Sequence, residues 1–284
     1  MRTPTPDTEL LSSEETSRTI RTPGWKLHFH EAGEGEAVLF LHGSGPGATA
    51  WSNFHLNITP LARTHRVLML DQPGWGESDP LEAAAGGHLR AIEEFLDALG
   101  IEKVSLIGNS LGGINAIEFA MVHPERVHRI VTMGTADLTM PHLFSPAGFT
   151  LGLQEVYRGY VERTPEVYRR LVQVMSFGDR FMDDELIAER FAAAMRHEEH
   201  LDAFVARANA PREAPEWTAA RVSAIEHETL LIHGRDDQVV PVEASLRLLA
   251  MIPNSRALIF NQCGHWAELE RADEFNRAVA DFLS

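Results

Sequence analysis

The stretch Ile107-Gly108-Asn109-Ser110-Leu111-Gly112-Gly113 decides how this chain folds and what chemistry it carries. It stands between the apolar run Lys103–Ile107 and an apolar segment that starts at Ile114 and is stopped by Pro124. The pattern G-x-S-x-G at a strand-to-helix junction describes a very tight turn. Its central residue takes a strained backbone conformation, and neighbouring glycines avoid the clashes that side chains would make. A serine hydroxyl is thereby held above the sheet at a helix N-terminus, where backbone N–H groups favour a developing anion. The bland alternative is a simple tight turn with an N-cap serine.

Outward from this turn the chain repeats one rhythm. Continuous apolar runs at residues 37–41, 66–70, 128–133, 229–234 and 256–260, with an alternating strand at 25–32, read as strands. Apolar residues at helical spacing occupy 88–99, 242–251 and 273–283. Buried strands alternating with helices predict an α/β fold, a mostly parallel sheet covered by helices on both faces. Between residues 140 and 215 the strands vanish. Helical runs at 155–163, 166–177 and 184–207 take their place, punctuated by Pro141, Pro146, Pro165, Pro211 and Pro215. The expected organisation is therefore one core domain over 21–136 and 216–284, a helical lid over 137–215, and a flexible N-terminal tail over 1–20. Two sequential domains fit less well, because the segment after 220 has too few strands to close its own sheet.

The 284 residues carry 25 Lys plus Arg against 41 Asp plus Glu, a net charge of −16. That acidity argues against nucleic acid and anionic membranes as partners. The single cysteine, Cys263, excludes an intrachain disulfide. No apolar run approaches the ~20 residues of a membrane span. The polar, acidic N-terminus does not resemble a secretion signal, so a cytoplasmic location is expected.

A serine hydroxyl needs a base to take its proton. In this type of fold an acid and then a histidine follow the serine, each in a loop after a later strand. The run 229–234 leads into Arg235-Asp236-Asp237-Gln238, and 256–260 leads into Cys263-Gly264-His265-Trp266. His265 is singled out among fourteen histidines by its place between the last strand and the last helix. Asp237 is preferred as its orienting acid for lying deeper in the loop, with Asp236 as the runner-up. Two backbone N–H groups should hold the oxyanion: that of Leu111, and one on the glycine-rich loop His42-Gly43-Ser44-Gly45-Pro46-Gly47. The nucleotide-binding glycine patterns are absent, so no nucleotide is expected.

These residues resemble the α/β-hydrolase fold over most of 25–284. Five segments, HGSGPGATAWSNF, DQPGWGESD, GNSLGG, GRDDQVVP and CGHWAELE, are similar to the meta-cleavage product hydrolases. These serine enzymes hydrolyse a carbon–carbon bond in 2-hydroxy-6-oxo-2,4-dienoates from aromatic degradation. The resemblance implies a Ser110, His265 and Asp237 triad, with Ser44 and Leu111 offering the oxyanion N–H groups. It implies that Gly43, Gly45, Asn53, Asn109, Arg190 and Trp266 line the substrate site, Arg190 meeting the dienoate carboxylate bidentately. Arg180, Arg196 and Arg207 compete for that last role. It implies no metal or organic cofactor, an acidic small-molecule substrate, and a homodimer or higher homo-oligomer.

The rival functions are a carboxylesterase or lactonase with the same triad, and a non-catalytic ligand receptor on the same scaffold. Apolar lid residues, among them Phe144, Leu151, Phe177 and Phe181, are expected to set the group beyond the 6-oxo carbon. His197 and His200 have a spacing suited to a metal, but the sequence offers no evident third ligand, and a solvated charged face is the expected reading.

Overall fold

The computed structural model describes residues 10–81, 87–139, 150–179, 181–208 and 216–284. Eight strands form one sheet: β1 (Ser17–Arg21), β2 (Lys26–Ala32), β3 (Ala37–Leu41), β4 (Arg66–Leu70), β5 (Val104–Asn109), β6 (Val127–Met133), β7 (Thr229–Gly234) and β8 (Ser255–Phe260). Their order is β1-β2-β4-β3-β5-β6-β7-β8; β2 is antiparallel to both of its neighbours, β1 and β4, and the remaining pairings are parallel.

The continuous apolar runs reflect burial on both faces. Leu39, Leu41, Leu68, Leu70 and Leu106 enter one core cluster, while their neighbours Val38, Phe40, Val67, Met69 and Ile107 enter the other. This is the two-residue alternation of a strand, with both faces apolar. Each fully buried side chain of this size contributes about 1.5–3 kcal/mol. The first face is covered by the helices Gly87–Ala98 and Leu111–Val122, through Ile92, Phe95, Ile117 and Phe119. The second is covered by Ala50–Leu61 and Ala272–Leu283, through Phe54, Ile58, Phe275 and Val279.

Two features differ from expectation. Residues 13–21 are not tail: a short helix, Ser13–Thr16, leads into β1, which pairs with β2 from Ser17↔His30 to Arg21↔Lys26. The Thr16 hydroxyl meets His30 Nδ1 at 3.0 Å. SRTIR looks like tail because an edge strand, open to solvent, needs no apolar face. The helix Ala50–Leu61 is also unannounced. It follows a glycine-rich loop and contains Pro60, yet Thr49 and Ser52 cap it reciprocally.

Between β6 and β7 lie the helices Leu151–Val161, Pro165–Met175, Asp184–Arg196 and Glu198–Ala208. Their apolar faces form a third cluster, in which Tyr160, Tyr168, Leu171 and Met175 join Val239, Val240, Trp266 and Leu269. The helical layer thus rests on the loops that follow β7 and β8. The expected run 184–207 is interrupted at His197, whose φ of −134° and ψ of 62° end the first of its two helices. Among the described residues, no helix is long and apolar enough to cross a membrane.

Sheet order locates the site before any side chain is considered. From β3 the chain moves outward to β4, then returns across β3 to β5. The loops after β3 and β5 therefore diverge at a topological switch point, where open α/β sheets bind ligands.

Candidate active site

Ser110 ends β5 and caps the helix Leu111–Val122 with φ 52° and ψ −114°. Such a conformation costs about 1–3 kcal/mol and persists only if its surroundings enforce it. Here the Ser110 N–H donates to Met133 O on β6 at 2.8 Å. Gly112 packs so tightly on β3 that a Cβ there would sit 1.9 Å from Leu41 O, which explains the second glycine of the pattern. As the first helical residue, Leu111 has an N–H with no intrahelical acceptor.

Asp237 and His265 come from the loops after β7 and β8. His265 Nδ1–H donates to Asp237 Oδ2 at 2.7 Å, and both side chains are buried. The other carboxylate oxygen accepts from the Val239 and Val240 N–H groups at 2.7 and 2.9 Å. Burial alone would oppose its ionisation. The neighbouring His265 and His233 outweigh it and hold the Asp237 carboxyl below the ordinary carboxylate range. With Nδ1 committed as a donor, His265 Nε2 is the ring's basic atom. Asp236, the runner-up, is instead partly exposed and bonded to Arg235.

Ser110 and His265 line one cavity, together with Gly43, Ser44, Gly45, Asn53, Asn109, Arg190 and Trp266. Leu111 lies outside this lining, and Asp237 stands behind His265. The remaining walls are Leu153, Val156, Met175 and Val239. Leu151 and Phe177, expected among the tail-contacting residues, are exposed instead, and Phe181 packs within the helical layer. Phe144 lies outside the described residues.

Both asparagines face the cavity and are also bonded to the protein. Asn109 Nδ2 donates to the Met133 and His265 carbonyls at 3.3 and 3.2 Å. Asn53 Nδ2 donates to Thr49 O and Ser52 Oγ. In this arrangement both amide hydrogens of each side chain are engaged with the protein.

Arg190 is the cation of the cavity. It projects from the helix Asp184–Arg196, is 6% exposed, and stacks its guanidinium 4.9 Å from the Trp266 ring centroid. Burial brings its pKa down to about 10. Its Nε has no hydrogen-bond partner, and among the described residues no carboxylate forms an ion pair with it. A buried cation without a counter-ion is costly, and one facing a cavity is suited to an anionic ligand. Arg180 lies outside the described residues; Arg196 and Arg207 are not among the described lining residues.

Several contributors escaped sequence reasoning. Gln72 N–H donates to His42 Nε2 at 3.0 Å, so His42 Nδ1–H donates to Gly43 O at 2.8 Å. Burial keeps this imidazole's pKa low. Because C=O and N–H point oppositely in a trans peptide, this bond turns the Ser44 N–H away from the His42 ring. Tyr160 Oη, which accepts from Trp75 Nε1, donates to Ser44 O. Glu270 accepts from the Gly264 and Phe177 N–H groups, both at 2.8 Å, tying the His265 loop to the helical layer. His233 receives the Ser245 hydroxyl at Nδ1 and turns Nε2–H to Val240 O, 3.3 Å from Asp237. The one legible signal is a His-Gly pair, directly after β3 at His42-Gly43 and at the end of β7 at His233-Gly234. Burial pushes the Cys263 thiol pKa far up, so it is no rival nucleophile.

A strained serine at a strand-to-helix turn, a buried His–Asp pair from two later strands, and a family model of the alpha/beta hydrolase fold matching residues 36–272 all coincide. The chain belongs to the α/β-hydrolase fold family. Within it, the relatives are specific. A 2-hydroxy-6-oxo-6-phenylhexa-2,4-dienoate hydrolase of Comamonas testosteroni is 40% identical over 90% of this chain and 91% of its own. A 2-hydroxy-6-oxononadienedioate/2-hydroxy-6-oxononatrienedioate hydrolase of Cupriavidus pinatubonensis is 41% identical, covering 91% of each chain. The solved meta-cleavage product hydrolase of Pseudomonas fluorescens superposes with a TM-score of 0.83 at 33% identity, covering 95% of this chain and 98% of that one. This α/β hydrolase is a member of the meta-cleavage product hydrolases.

Proposed function

We propose that this hydrolase cleaves the carbon–carbon bond beside the 6-oxo group of a 2-hydroxy-6-oxo-2,4-dienoate. Its products are a 2-hydroxypenta-2,4-dienoate and a carboxylic acid. The observation that carries this reading is a single cavity with a nucleophilic serine and a buried arginine, which forms no ion pair among the described residues, in its walls. An ester needs the first feature but not the second.

In this reading Arg190 holds the dienoate carboxylate and the 6-oxo carbon lies against Ser110. A carbon leaving group departs only as a stabilised anion. Tautomerisation from dienol to keto form supplies this by moving the 2-hydroxyl proton to carbon 5. His265 Nε2 then takes the Ser110 proton as the serine oxygen attacks the 6-oxo carbon, and the Ser44 and Leu111 N–H groups receive the oxyanion. When the C5–C6 bond breaks, its electron pair passes into the dienolate, which takes the proton held by His265 to give the dienoate product and leaves His265 neutral. Water attacks the acyl-enzyme, His265 takes a proton from it, and Ser110 is released with the acid.

The four helices above the β7 and β8 loops act as the lid over this cavity, and 137–215 is its domain boundary in the proposed organisation. The uncharged Leu153, Val156, Met175 and Val239 favour an aryl or alkyl tail. A tail ending in a second carboxylate would meet no further cation among the described lining residues. A cytoplasmic location and a homodimeric or higher assembly complete the proposal.

The test compares kcat/KM for a 6-aryl or 6-alkyl 2-hydroxy-6-oxo-dienoate with that for a short p-nitrophenyl ester, with product identification. Preference for the dienoate is expected. Preference for the ester would make the chain a carboxylesterase with the same triad.

A further inference from the structure

We propose that His197, Glu199 and His200 form a site for one divalent transition-metal ion of the zinc type, outside the catalytic cavity. The three residues sit where the helical run breaks. His197 ends one helix, and Glu199 and His200 lie in the first turn of the next. The break brings their candidate ligand atoms within 4.8 Å of one another. The two imidazoles stack with centroids 5.1 Å apart and planes 19° from parallel.

His200 is buried and, among the described residues, no hydrogen bond holds its ring. Both histidines line a second cavity, whose opposite wall is Ala48, Thr49 and the turn Trp75–Glu77. Two imidazoles and one carboxylate are a donor set suited to zinc-type ions, with the cavity side open for water.

A fourth residue completes the arrangement. His197 Nδ1 lies 3.2 Å from Glu199, while its Nε2 lies 3.4 Å from Glu77, which belongs to the loop after β4. With Nε2–H donated to Glu77, the Nδ1 lone pair faces Glu199 and becomes the ligand atom. This is the carboxylate–histidine–metal relay that fixes ring orientation in metal sites. Tetrahedral ligands at zinc distances stand roughly 3.3 Å apart. Rotation of the exposed Glu199 side chain and the half-buried His197 ring provides that contraction. Two carboxylates balance the ion's charge, and Arg196, 3.9 Å from Glu77, is the nearby cation. Because Glu77 belongs to the core and the ligands to the helical layer, a bound ion would fasten one to the other, directly after the helix that carries Arg190.

The competing description is an imidazolium at His197 bridging Glu77 and Glu199 with no affinity for metal. Full-length protein freed of metal with a chelator is titrated with Zn²⁺ by calorimetry and with Co²⁺ by visible absorption. The site predicts one equivalent bound and a Co²⁺ ligand-field band. It also predicts a Tm raised by roughly 5 °C or more at a hundredfold excess over Kd. His200→Ala should abolish the band and the Tm rise while leaving dienoate turnover intact. Glu77→Gln should weaken Zn²⁺ binding about 10–100-fold. Absence of a saturable equivalent, or Zn²⁺ affinity in His200→Ala and in His197→Ala equal to that of the unaltered protein, overturns the proposal in favour of the ion pair.

Discussion

Arg190→Met is the most informative substitution, because it should make the protein more stable and much less active. The guanidinium is buried with an unpartnered Nε and no ion-paired carboxylate among the described residues. Its pKa falls from 12.5 to about 10, and at 1.36 kcal/mol per pH unit this is roughly 3 kcal/mol of unfavourable burial. Methionine fills similar space without charge, but it loses the stacking on Trp266, worth about 0.5–2 kcal/mol. The net gain is on the order of 1–2 kcal/mol, or a Tm higher by roughly 2–4 °C for a chain of this length. In the liganded enzyme the balance reverses. Two charge-assisted hydrogen bonds to a carboxylate are worth about 1.5–3 kcal/mol each, so kcat/KM for a dienoate should fall on the order of 10²–10⁴-fold. Turnover of a neutral p-nitrophenyl ester should change far less. Calorimetry and steady-state kinetics on one preparation give all three values. A Tm lowered by several degrees with dienoate turnover intact would refute this reasoning and make Arg190 a structural anchor.

Asp237→Asn should keep the fold and lower kcat by roughly 10³–10⁴, because an amide no longer fixes the His265 tautomer; stopped-flow turnover measures it. Glu268 is fully buried, neither of its carboxylate oxygens has a hydrogen-bond partner among the described residues, and burial raises its pKa well above the ordinary value. The native state therefore binds this proton more tightly than the unfolded chain, and stability falls as pH rises above the unfolded value near 4.5. Glu268→Gln should remove that loss, raising Tm more at pH 8 than at pH 5; an equal change at both would show that the acid does not titrate in this way. In a substrate panel, a 6-phenyl dienoate should be turned over with a higher kcat/KM than a nonadienedioate, and the reverse order would reveal a second cation reaching the tail.

Much of this architecture is legible in the chain because the same physics repeats. Buried parallel strands must be apolar on both faces, so 37–41, 66–70 and 229–234 match β3, β4 and β7 at both ends. The nucleophile turn is legible because backbone strain demands glycine at fixed offsets. What stays hidden is what neither periodicity nor spacing encodes. β1 is an edge strand and carries no apolar stripe. The helix Ala50–Leu61 is masked by Pro60 and by the glycines before it. The second tier of the site consists of polar side chains whose partners are tens of residues away, such as Gln72 with His42 and Glu270 with Phe177. The same holds for Glu77, which meets His197 across the boundary between core and helical layer.

The central claim is that the Ser110 oxygen attacks the 6-oxo carbon of a dienoate held by its carboxylate. Single-turnover stopped-flow on Ser110→Ala, following the dienoate's visible absorbance, tests it most directly. The account predicts that the variant still binds the substrate with comparable Kd while hydrolysis slows by about 10⁴-fold or more. Hydrolysis within tenfold of the unaltered enzyme would contradict it.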